Sequence, residues 1–116
     1  MLNVQTKPLI YVIDDEIDIC ELVCQELEQY NFETAFFTSG ETALQAVKDN
    51  IPALCIIDLG LPDMDGLTLV RELFNNKNMG VMILSGRDSL PDKILGLELG
   101  ADDYIAKPFE LRELVA

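Results

Sequence analysis

Three stretches of the chain are apolar without a break, and each stops on a polar residue followed by a turn. They are Pro8 to Asp15 (PLIYVIDD), Ala53 to Asp58 (ALCIID) and Val81 to Ser85 (VMILS). A strand with one wet face alternates apolar and polar residues. An unbroken run suits a strand buried on both faces, which is the habit of parallel sheets. Parallel neighbours need long crossovers, and the segments between the runs read as helices. Glu16 to Tyr30 carries apolar residues at 19, 22, 23, 27 and 30, a helical spacing. Ser39 reads as the N-cap of a second helix ending near Asn50, and Asp65 opens a third through Phe74. Pro91 to Leu99 reads as a fourth, with Gly100 after its end, and Phe109 to Ala116 begins a fifth. Glu33 to Phe37 and Asp103 to Ala106 are two weaker strand candidates. Five βα units in alternation predict one doubly wound α/β domain, a five-stranded parallel sheet with helices on both faces.

Length and charge narrow what such a domain can do. A chain of 116 residues, 49% apolar, is one domain by size and buries about two-thirds of its unfolded surface without staples. Acidic residues outnumber basic ones 21 to 8, a net charge of −13. That balance argues against the chain gripping nucleic acid or an anionic membrane by itself and favours cations or basic partners. The longest uncharged apolar run, Ile51 to Ile57, is far too short to span a bilayer, and residues 1–8 lack a signal-peptide core. Three cysteines (Cys20, Cys24, Cys55) form no disulfide framework, which points to a reducing, cytoplasmic compartment. There is no histidine, so any mechanism that needs the chain's own imidazole is excluded.

In open α/β sheets, sites form at the carboxyl ends of the strands. Here that edge collects Asp14 and Asp15, Asp58, Ser85 and Lys107. Crowded carboxylates disfavour one another's ionisation, and a hard divalent cation resolves the conflict. Mg²⁺ takes one or two carboxylates together with waters and phosphate oxygens. Asp58 could then act as nucleophile toward a phosphoryl group. Lys107 and Mg²⁺ would offset charge on the equatorial oxygens, and the Ser85 hydroxyl would hydrogen-bond to them. A single acid after a strand is ordinarily a helix cap or a solvated turn, the reading given to Asp65 and Asp92. Acids, hydroxyl and lysine each at the end of a separate βα unit are hard to obtain by chance.

These residues carry a resemblance. VIDDE (12–16), IIDLGLPDMDG (56–66), ILSGRD (83–88) and GLELGADDYIAKPF (96–109) resemble the receiver domain of two-component response regulators over nearly the whole chain. Within that family the likeness is greatest to the winged-helix transcription-factor class. The resemblance implies a flavodoxin-like sheet of strand order 2-1-3-4-5. It implies a receiver domain over 1–116, with 1–8 as an N-terminal tail, the chain stopping within helix 5 and the effector domain absent. It implies Asp58 as phosphoacceptor and Asp15 as direct Mg²⁺ ligand, with Asp14 acting through water and the Gly60 backbone carbonyl as a further ligand. Lys107 would contact the phosphoryl group, the Lys107–Pro108 bond would be cis, and Ser85 with Tyr104 would form a switch pair. Partners implied are a sensor histidine kinase, a second copy of the chain after phosphorylation, and DNA only through the missing effector. The dimer face would comprise helix 4, strand 5 and helix 5, with Lys93, Asp102, Asp103, Glu110 and Arg112. Ser85 stands where many members have Thr, and the hydroxyl survives. Arg87 and Gly60 sit where the family varies and where phosphoryl lifetime is tuned.

The change on phosphorylation needs an element with two arrangements. The fourth helix is short and holds Gly96, at a cost of about 1 kcal/mol relative to Ala. The expected response is that Ser85 moves toward the phosphoryl oxygens, Tyr104 rotates into the space, and this helix repacks with the fifth strand. Two other readings stay open: a Mg²⁺-dependent phosphohydrolase, which should need substrate-recognition insertions, and a receiver used only for docking. Asp63-Met-Asp65-Gly66 mimics a phosphatase DxDG, but Asp63 follows Pro62 in a turn rather than ending a strand. Cys20 and Cys24, one helical turn apart, read as packing residues beside the apolar stripe.

Overall fold

Each apolar run becomes a strand of one parallel sheet. In the computed structural model, which describes residues 7–74, 79–85 and 103–106, the strands are β1 (Leu9–Ile13), β2 (Glu33–Phe37), β3 (Leu54–Ile57), β4 (Gly80–Ser85) and β5 (Asp103–Ala106). Their order is β2-β1-β3-β4-β5, all pairs parallel. This is the doubly wound arrangement that the alternation of runs and helices predicts. The helices are α1 (Ile17–Gln29), α2 (Gly40–Asp49) and α3 (Gly66–Phe74). The predicted fourth and fifth helices lie outside the described residues. So do Arg87, Asp92, Lys93, Asp102, Lys107, the Lys107–Pro108 bond, Glu110 and Arg112.

The unbroken runs are explained by burial on two faces. Odd positions (Tyr11, Ile13, Cys55, Ile57, Val81, Ile83) pack against Ala43 and Val47 of α2 and Leu67, Val70 and Leu73 of α3. Even positions (Ile10, Val12, Ile56, Leu84) pack against Cys20, Val23, Cys24 and Leu27 of α1. Each large aliphatic side chain so withdrawn from water contributes about 2 kcal/mol. The edge strand β2 has the mixed burial its weaker pattern implies, with Phe36 exposed.

One expectation is corrected. The buried stripe of α1 is Cys20, Val23, Cys24 and Leu27, whereas Leu22 and Tyr30 are exposed and Ile19 is partly buried. Positions 20, 23, 24 and 27 follow the i, i+3, i+4, i+7 rule once cysteine is counted as a small hydrophobe. Both cysteines therefore belong to the stripe rather than beside it. Burial pushes the Cys55 thiol up to about 12, and all three cysteines are buried thiols outside any disulfide. After α1 the chain reverses through Asn31, whose φ of 68° lies in the left-handed region that asparagine tolerates. No described helix is long and apolar enough to cross a membrane.

Candidate functional site

The register of the sheet brings the acids together. Ile13 pairs with Ile57, so the next residues, Asp14 and Asp58, leave β1 and β3 side by side. The Asp58 N–H donates to the Ile13 carbonyl at 2.8 Å, and the Asp14 N–H donates to the Phe37 carbonyl at 3.1 Å. These bonds carry the sheet pattern one residue past the last strand positions. They fix both side chains at the carboxyl edge. Among the described residues the buried acids are these two, Asp14 at 2% and Asp58 at 7% exposure.

Asp15 and Glu16 follow in the turn to α1 and are exposed. One carboxylate oxygen from each of Asp14, Asp15, Glu16 and Asp58 lies within 4.8 Å of the others. The turn is tied to itself: the Glu16 N–H donates to Asp14 Oδ1 at 2.9 Å, and the Cys20 thiol donates to the Asp14 carbonyl at 3.3 Å. On the other side the Gly60 N–H donates to Asp58 Oδ1 at 3.2 Å. A Cβ on Gly60 would stand 4.0 Å from both Asp58 carboxylate oxygens. Residue 60 is therefore close enough for any larger side chain to face the acid.

The donor set fits a hard cation. Among the described residues it consists of carboxylate oxygens, a hard donor set that suits Mg²⁺ better than zinc. Two ligand candidates are buried and two exposed, so the cluster is open on one side, where Mg²⁺ keeps waters or phosphate oxygens. Among the sequence-derived residues, Asp14, Asp15, Asp58 and Gly60 meet here. Glu16 joins them although no sequence argument assigned it a part; its place directly after Asp14-Asp15 was the available signal. Ser85 ends β4, and its backbone pairs with Ala106, the residue before Lys107. Tyr104 pairs with Ile83 in the middle of β5.

The loop after β3 is held more firmly than its sequence suggests. Asp65 caps α3 as expected, Oδ1 accepting from the Leu67 N–H at 2.9 Å. Ser39 likewise caps α2, its Oγ accepting from the Thr42 N–H at 3.3 Å. Asp63, read as a turn residue, also reaches α2. Its Oδ1 accepts from the Gly40 N–H at 2.8 Å and its Oδ2 from the Glu41 N–H at 2.9 Å. These two amides hold the Asp63 carboxyl below its ordinary value, as carboxylates at helix N-termini are.

A family model described as the response regulator receiver domain matches residues 10–116. The transcriptional regulatory protein CssR of Bacillus subtilis is 42% identical over 107 residues, which cover 91% of this chain and 47% of that protein. The receiver domain of the Francisella response regulator 1452 superposes with a TM-score of 0.88 at 34% identity, covering 94% of this chain and 91% of that one. The BeF3-activated N-terminal receiver domain of Klebsiella pneumoniae RstA gives a TM-score of 0.86 at 29% identity, covering 92% of each chain. The chain spans about half the length of the curated relatives it matches.

Proposed function

The chain belongs to the response regulator receiver domain family, and on that premise we propose that it is a phosphorylation-activated switch whose phosphoacceptor is Asp58. The observation that carries the reading is a buried Asp58 within 4.8 Å of Asp14, Asp15 and Glu16 at the carboxyl edge of the sheet. The chain has no histidine, so a phosphoimidazole donor must come from a partner, a sensor histidine kinase in the cytoplasm. An Asp58 carboxylate oxygen attacks the donor's phosphorus. The O–P bond forms as the N–P bond breaks, and the electron pair returns to the donor's nitrogen.

Asp15, Asp58 and the Gly60 carbonyl would hold Mg²⁺, with Asp14 acting through water; when bound, the ion supplies positive charge against the transferring oxygens. The Gly60 N–H orients the Asp58 carboxylate through its bond to Oδ1. The Lys107 ammonium pairs with the phosphoryl group, and the Ser85 hydroxyl hydrogen-bonds to it. Water then cleaves the acyl phosphate, so the chain catalyses only its own phosphorylation and dephosphorylation. The new group brings about −2 charges and three acceptor oxygens. Ser85 moves toward it, Tyr104 follows, and the face of helix 4, β5 and helix 5 (Lys93, Asp102, Asp103, Glu110, Arg112) pairs with a second copy. The chain is a receiver unit, 1–116 with 1–8 as a tail, that controls a C-terminal winged-helix effector binding DNA in transcription. CssR, a transcriptional regulatory protein of about twice this length, supports that part.

The test is intact-protein mass spectrometry after incubation with acetyl phosphate, with and without Mg²⁺, beside Asp58→Asn. The expected result is a single phosphoryl adduct that requires both Mg²⁺ and Asp58. An adduct that persists in Asp58→Asn rules out Asp58 as the acceptor.

A further inference from the structure

The loop between β3 and α3 is closed at its base. The Gly66 N–H donates to the Leu59 carbonyl at 2.9 Å, and Leu59 is buried in the core at 1% exposure. A Cβ on Gly66 would come within 2.4 Å of the Leu59 Cα, so the two ends of the loop touch backbone to backbone. The arc between them, residues 60–65, leaves the core: Gly60, Pro62, Asp63 and Asp65 are exposed. Leu61 and Met64 turn back against the core, and the tip is tied to a second element where both oxygens of Asp63 accept amides of α2. Met64 adds a contact there, its Sδ 2.6 Å from where a Cβ on Gly40 would stand.

We infer that Asp63 is a positioning residue for the metal site, fixing the arc that carries the Gly60 carbonyl by clamping it to the N-terminus of α2. The inference rests on the site reading above, in which that carbonyl is a Mg²⁺ ligand. Gly60 lies three residues before Asp63 and only one after the buried Leu59. Its carbonyl is aimed by the shape of the arc. With the base closed, that shape is set by where the tip is held. Ser39 serves the Thr42 N–H, and Asp63 serves the Gly40 and Glu41 N–H groups that Ser39 leaves, so the same bonds that complete the helix end also anchor the arc. They join two elements 22 and 23 residues apart in sequence. A charged acceptor on two N–H groups is a strong and directional tie.

The competing account is that Asp63 merely stabilises α2, and Ser39→Ala separates the two. It weakens the same helix end without touching the arc. Mg²⁺ binding by the full chain is titrated calorimetrically at fixed ionic strength in wild type, Asp63→Ala, Asp63→Asn and Ser39→Ala, beside melting temperatures in chelator. Asp63→Ala is expected to weaken Mg²⁺ about 5-fold, somewhat less than losing a group that holds a metal ligand directly. Asp63→Asn, which keeps one acceptor oxygen, falls between, and Ser39→Ala lowers the melting temperature with the Kd unchanged. Equal affinity in Asp63→Ala and wild type overturns the inference, as does an equal loss in Ser39→Ala. A wild-type protein that takes up no Mg²⁺ overturns the site reading itself and this inference with it.

Discussion

The turn after β1 and the loop after β3 feed acids into the same cluster, yet they hold them by different means. The first puts three acids in consecutive positions and fixes them with the Glu16 N–H on Asp14 and the Cys20 thiol on the Asp14 carbonyl. The second contributes Asp58 and then spends eight residues, 59–66, on shape. These include a buried Leu59, a clamp to α2 through Asp63, a cap from Asp65 and a close contact at Gly66. The first region concentrates charge that repels itself. The second frames one buried acid, and its own two carboxylates, Asp63 and Asp65, are each tied to helix amides. A cation should matter most to the former and a change of side-chain volume most to the latter.

The sharpest way to break that contrast is Gly66→Ala. The added Cβ would meet the Leu59 Cα at 2.4 Å and the Asp58 carbonyl oxygen at 2.7 Å, and backbone has no rotamer with which to yield. The expected loss is about 3 kcal/mol by urea denaturation, at the upper end for an overpacked site. Gly40→Ala meets only the Met64 side chain, at 2.6 Å, which can swing aside, and serves as the control. Equal losses in the two variants would mean that the loop base is as pliable as its tip.

How much of this was legible beforehand follows the same division. The unbroken runs announced strands buried on both faces, and β1, β3 and β4 show why, sending odd residues to one core and even residues to the other. Asp14 and Asp58 could be placed at one edge from strand ends alone. Their adjacency needed the register that pairs Ile13 with Ile57, and register is a property of two strands together. The α1 stripe was misplaced because Cys20 and Cys24 were not counted among the apolar residues. Asp63 escaped because a reading by neighbours sees Pro62 and a turn. Its partners, Gly40 and Glu41, precede it by 23 and 22 residues, and no periodicity links them.

Removing the cation probes the charged side of the comparison. A ligand bound only by the folded state stabilises it by mass action, about 1.4 kcal/mol at ten times its Kd. Mg²⁺ at that concentration is therefore expected to raise the denaturation midpoint, and a chelator to return it. Ca²⁺ at the same ratio to its own Kd should do likewise, whereas NaCl matched for ionic strength should not. If NaCl reproduces the rise, the effect is screening of a net charge of −13 and no site is needed.

The smallest effect is the most diagnostic because its sign reverses. Asp15 is exposed and shares a 4.8 Å neighbourhood with Asp14, Glu16 and Asp58. Among the described residues its charge meets only other acids, and water and salt reduce that repulsion to about 0.5 kcal/mol. Asp15→Asn in chelator should therefore melt at the wild-type temperature or slightly above it. With Mg²⁺ present the order should invert, because wild type gains the binding energy and the variant has lost a ligand. Differential scanning calorimetry of both proteins in both buffers checks the crossing. A variant clearly less stable than wild type in chelator would show that Asp15 supports the turn itself. The distinction between a charged region and a framing region would then fail at its most exposed acid.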